Sequence, residues 1–71
     1  MALSMATTGD VKTISRFIGK EDVISRLREM GFIPGEKVEV VGRNVSGLIL
    51  VVKGVRVALD RSLASRIIVC D

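Results

Sequence analysis

Short apolar runs, broken at close intervals by glycine and by a single proline, are what most constrain this chain. Gly9, Gly19, Gly31, Pro34-Gly35, Ser46-Gly47 and Gly54 punctuate it. The segments between them have room only for short strands or one short helix. A length of 71 residues predicts one domain, 1–71, whose small core must be used efficiently. Val, Ile and Leu supply most of the 48% apolar content, and Phe17 and Phe32 are the only aromatics. That composition favours small β structure and argues against disorder.

Read segment by segment, 10–18 ("DVKTISRFI") alternates imperfectly and predicts a first strand. The segment "KEDVISRLREMG" predicts a helix. Val23, Ile24, Leu27 and Met30 form one stripe, Glu21 and Asp22 occupy the first turn, and Gly31 stands at the residue after the C-cap. Asp22 and Arg26 have the spacing of an i,i+4 ion pair. About ten residues are too few for a free helix in water, so packing must hold this one.

Beyond Pro34-Gly35, "KVEVVGR" places Val38 and Val40 on one face. "NVSG" is a loop, and "LILVVK" reads as a strand buried on both faces. Gly54 turns the chain into the alternating "VRVAL". Asp60 can cap a single helical turn, "RSLAS", and "RIIVC" closes the chain as a last strand. The expected fold is mostly β: a small SH3-like barrel of about five strands, with one short amphipathic helix and a helical turn before the last strand.

Composition excludes much chemistry. The chain has no His, so no Ser-His or Cys-His nucleophile can form, and a soft metal site has almost no ligands. Gly42 and Gly47 have P-loop spacing, but Leu48 stands where the phosphate-binding Lys is needed. Neither an enzyme, nor a cofactor site, nor a metal site within the chain is expected. The net charge is only +3, with basic residues dispersed and no aromatic platform among them, which disfavours a nucleic-acid reader. "LILVV" is far too short to span a bilayer, and the helix has mixed charges, so membrane insertion is not expected. "MALSMATTGD" has no signal-peptide pattern, and the single Cys70 cannot form an internal disulfide; a reducing cytoplasm is the expectation. Interaction with a partner is what remains.

The stretch "RLREMGFIPGEKVEVV", residues 26–41, resembles the signature of the ferrous iron transport protein A (FeoA) family. Leu3 with Gly9, the loop at 46–47 and "VALDRSLASRIIV", with Ala64, Ile67 and Val69, extend the likeness over nearly the whole chain. The resemblance implies an SH3-like barrel with an added helix and a small cytoplasmic accessory protein of ferrous iron uptake. Its expected partner is the cytoplasmic GTPase domain of the membrane ferrous iron transporter, FeoB, which would recruit it to the inner face of the cell membrane. The same barrel occurs at the C-terminus of metal-dependent repressors, so an isolated module of that type is an alternative, as is a weak nucleic-acid-binding barrel.

Two readings attach to the candidate residues. In the structural one, Gly31 caps, Pro34 fixes φ, Gly35 permits the turn, and Phe32 and Ile33 pack under the helix. In the functional one, Leu27 lines an apolar groove between helix and barrel, Phe32 belongs to the same partner surface, and Arg26 and Arg28 form a charged rim that steers an acidic partner. An exposed strand edge on such a small barrel also permits a homodimer.

Overall fold

The structure, a computed structural model, describes residues 1–71. A 3-10 turn (Leu3–Met5) leads into β1 (Val11–Phe17), α1 (Glu21–Glu29), β2 (Lys37–Asn44), β3 (Gly47–Val52), β4 (Val55–Asp60), α2 (Arg61–Ala64) and β5 (Ile67–Cys70). All strand pairings are antiparallel, in the order β4-β3-β2-β1-β5. The fold is mostly β and SH3-like, with the five strands, the helix and the helical turn where the sequence placed them. The ladder itself stays open: β4 and β5 are its edges, and α2 joins them through the chain instead of through hydrogen bonds.

Alternation decides which side each strand buries. Val38 and Val40 of β2 face Val52 and Leu50 of β3, and Leu48 faces Leu59 of β4; all are buried. No residue of β3 is exposed, as its continuous apolar run required. Register shifts between Ile14 and Arg16 and between Val40 and Gly42 mark bulges that bend the sheet around its inner face. Asp60 caps α2 by accepting a hydrogen bond from the Leu63 amide at 2.7 Å.

The periodicity gave no sign of how the first six residues would be used. Leu3 and Ala6 are fully buried and belong to the core. Met1 exchanges backbone hydrogen bonds with Val69, and Ala2 bridges Ile68, so this segment covers the outer side of β5. Arg43, an exposed residue of β2, donates from Nη1 to the carbonyls of Ser4 and Ala6. No helix is long and apolar enough to cross a membrane.

Candidate surface at the end of the helix

The stretch that singled itself out in the sequence is built from two linked backbone motifs. At the end of α1 the amide of Gly31 donates to the carbonyl of Arg28 (3.0 Å), and the amide of Phe32 donates to the carbonyl of Leu27 (3.1 Å). With Met30 as C-cap and Gly31 at φ +101°, these two bonds form a Schellman motif, which needs a residue free to adopt positive φ. Three residues on, the amide of Glu36 donates to the carbonyl of Ile33 (3.0 Å) around Pro34 and Gly35, the latter at φ +93°. Proline followed by a positive-φ glycine makes this a type II turn. The turn is sewn to β1 at its bulge: Gly35 donates to the carbonyl of Ile14 (2.8 Å), and Ile14 donates to that of Glu36 (2.9 Å).

These motifs sort the candidate residues into two groups. Leu27 and Phe32 are each 0% exposed and lie in the same core cluster. Neither can touch a docking partner, so the proposed apolar groove lined by their side chains is not there. A Schellman motif brings together the residues at these two positions, and here both point inward. Ile33 corrects the other expectation: it does not pack under the helix but is 41% exposed. Consecutive residues of an extended segment point to opposite sides, so burying Phe32 turns Ile33 out.

Arg26 and Arg28 are exposed, as are Pro34 and Gly35. The predicted Asp22–Arg26 pair does not form; Lys12–Asp71 is the only ion pair in the structure. Both Asp22 and Arg26 lie in water, where such a pair gains little. The surface left at this end of α1 is therefore two unpaired guanidinium groups beside an exposed Ile-Pro-Gly turn, on a backbone anchored from beneath. Sequence reasoning missed Ile33 as part of it; the apolar pair before Pro34 carried the signal, since only one of two neighbours can enter the core.

One concavity lies elsewhere, a groove of about 320 Å³ lined by residues of the β2–β3 loop, β3 and β4, among them Asn44, Ile49, Ala58 and Asp60. None of the sequence-predicted residues lines it. The loop is fixed by the Asn44 side chain, whose Oδ1 accepts from the amides of Ser46 (2.9 Å) and Gly47 (3.0 Å) and from the Ser46 hydroxyl (2.7 Å). No three His, Cys, Asp or Glu side chains are grouped to hold a metal ion. Cys70 is a free, exposed thiol.

Comparison with known proteins gives these features a context. The chain shares its fold with an iron uptake regulatory protein (FeoA), with a TM-score of 0.90 and 30% identity over 97% of this chain and 92% of that one. It also matches Stenotrophomonas maltophilia FeoA complexed with zinc, described as a prokaryotic SH3 domain protein, with a TM-score of 0.73 and 30% identity over 99% of this chain and 89% of that one. A manganese-dependent transcriptional repressor has the same fold in part of its length, with a TM-score of 0.86 and 18% identity over 94% of this chain and 39% of that one. No curated protein sequence matches. The FeoA domain matches residues 1–70, and the chain belongs to the FeoA family, small proteins accessory to ferrous iron transport.

Proposed function

We propose that this protein is a cytoplasmic binding module that regulates ferrous iron uptake by docking on the G-protein region of a FeoB-type membrane transporter. The observation that carries the reading is the surface at the end of α1. Arg26 and Arg28 are exposed without an acidic partner, beside the exposed Ile33 and Pro34. The Schellman motif and the type II turn fix the backbone beneath them, so little ordering is required on binding. Unpaired guanidinium groups offer bidentate hydrogen bonds to carboxylates, and Ile33 offers an apolar contact between them and the turn. The matching partner surface is acidic with an apolar centre.

Regulation follows from differential affinity. The transporter's G domain has nucleotide-dependent states, and a module that binds one state more tightly shifts the population toward it. The shift cannot exceed the difference in binding free energy between the states.

The test is a titration of isotope-labelled protein with the soluble G domain, with and without a non-hydrolysable GTP analogue, followed by amide shifts. Shifts centred on residues 24–36 with a nucleotide-dependent affinity support the proposal. Saturating G domain without shifts in that segment refutes it.

A further inference from the structure

The sheet has two edges, and only one is covered. Along β5 the N-terminal ammonium of Met1 donates to the carbonyl of Val69 (3.1 Å), the Val69 amide donates to the carbonyl of Met1 (2.8 Å), and Ala2 bridges Ile68. Along β4 nothing comparable exists. The two-residue turn Lys53-Gly54, with φ of 52° and 74°, joins β3 to β4 and makes Val52–Val55 a hydrogen-bonded pair. By alternation, Val55, Val57 and Leu59 bond to β3, while the N–H and C=O groups of Arg56 and Ala58 and the N–H of Asp60 point outward; the Asp60 carbonyl belongs to the first turn of α2. The strand ends at Asp60: the Arg61 amide donates to the carbonyl of Ser46 (3.2 Å), and α2 begins there.

We infer that β4 pairs antiparallel with β4 of a second copy of this chain, centred on Ala58, with Arg56 of each copy opposite Asp60 of the other. Charge selects both the partner and the register. Edge strands commonly carry a charge that repels incoming strands. Here the two charged residues with outward backbone groups have opposite sign and stand symmetrically about Ala58. Centring the pair on Arg56 or on Asp60 opposes like charges directly, and centring it on Val57 or Leu59 makes the two Arg56 or the two Asp60 diagonal neighbours. Centring on Ala58 satisfies both pairs and uses all three outward-facing residues. Both side chains are available: Arg56 makes no ion pair within the chain, and Asp60 spends only Oδ1 on capping α2.

Packing agrees with that register. Ala58 lies opposite Ile49, and Arg56 lies opposite Val51, on the outer face of the sheet. Ile49 and Val51 are only half-buried there. Pairing Ala58 against Ala58 continues this apolar stripe from one copy into the next, and two small side chains let the strands approach. Asp60 lines the groove beside the β2–β3 loop, so Arg56 of the second copy reaches into its rim. The interface is small and belongs to the weak, transient class.

Sedimentation and amide exchange over a concentration series test this, with reductant present and with Cys70→Ser to remove disulfide dimers. The expected result is a monomer–dimer equilibrium below about 1 mM, the range for a weak complex. The amides of Arg56, Ala58 and Asp60 gain protection as concentration rises. Arg56→Glu, an exposed change that leaves the fold intact, should weaken the dimer by at least about 10-fold. Ala58→Pro removes an outward N–H and should give a monomer with unaltered circular dichroism. Should Ala58→Pro unfold, Arg56→Glu alone decides. A wild type that stays monomeric throughout, or a dimer indifferent to Arg56→Glu, overturns the inference.

Discussion

The amide of Phe32 donates to the carbonyl of Leu27 at 3.1 Å, and both side chains are closed off from water. One backbone bond thus couples the end of α1 to the core and, through the next four residues, to β1. Leu27 and Phe32 are buried in the core, and the exposed Arg26, Arg28 and Ile33 are displayed on the backbone they anchor.

Truncating either buried residue should therefore act on stability. Leu27→Ala should cost about 2–5 kcal/mol and Phe32→Ala about 3–5 kcal/mol. For a chain of this length the whole stability is roughly 4–10 kcal/mol, so either change removes a large share of it. Urea unfolding midpoints check this. Leu27→Arg buries an unpaired charge and should fail to fold, so it cannot serve as a binding-defective variant.

Arg26→Glu and Arg28→Glu should behave in the opposite way. Both side chains are exposed and free of ion pairs, so stability should change by about 0.5 kcal/mol or less. Association with the transporter's G domain should slow by about 10-fold at low salt and lose much of its salt dependence. Stopped-flow association at two ionic strengths measures both effects.

Gly47→Ala should unfold the β3–β4 hairpin. A Cβ at this position would sit 2.1 Å from the Leu59 carbonyl oxygen and 2.9 Å from the Asp60 Cα, both backbone atoms that cannot swing aside. The expected result is loss of cooperative thermal unfolding, against a clear transition for Gly42→Ala, whose Cβ would meet Ile49 at an ordinary 3.7 Å.

Acid should weaken the loop that precedes β1. Asp10 accepts from the Thr7 amide (2.9 Å) and hydroxyl (3.2 Å), and chiefly the amide bond holds its carboxyl below the usual value of 3.8. A carboxylate with a depressed folded-state pKa stabilises the fold above its unfolded value, and that contribution disappears as pH falls through the folded value. The wild type should lose this increment on acidification, whereas Asp10→Asn should not. Denaturation midpoints of the two proteins should converge as pH falls below about 4.

Much of this architecture was legible from residues one turn apart or two apart. The stripe Val23, Ile24, Leu27, Met30 gave the helix, Gly31 its end, and Val38 with Val40 the inner face of β2. What failed were inferences that needed a third dimension. A helical stripe reads the same whether it faces a core or an open groove, so the stripe alone leaves Leu27 ambiguous. Two adjacent apolar residues do not announce which enters the core, so the pair Phe32-Ile33 does not show that Ile33 turns outward. The Asp22–Arg26 spacing permits a pair that solvation does not favour. Arg43 acts across 37 residues, on carbonyls that leave no mark in the sequence.

β1 lies between β2 and β5, and its partners on the β5 side include Ile14 with Val69 and Phe17 with Ile67. During synthesis, β2, β3 and β4 can zip up as successive hairpins, each closing a short loop. The first strand can take its place beside β2 early, but its other flank stays unpaired until the last strand is translated. The polypeptide therefore emerges with its opening residues waiting for its closing ones. A truncation that removes β5 should leave a species with β1 as an uncovered edge, open to pairing with neighbouring chains and prone to aggregate.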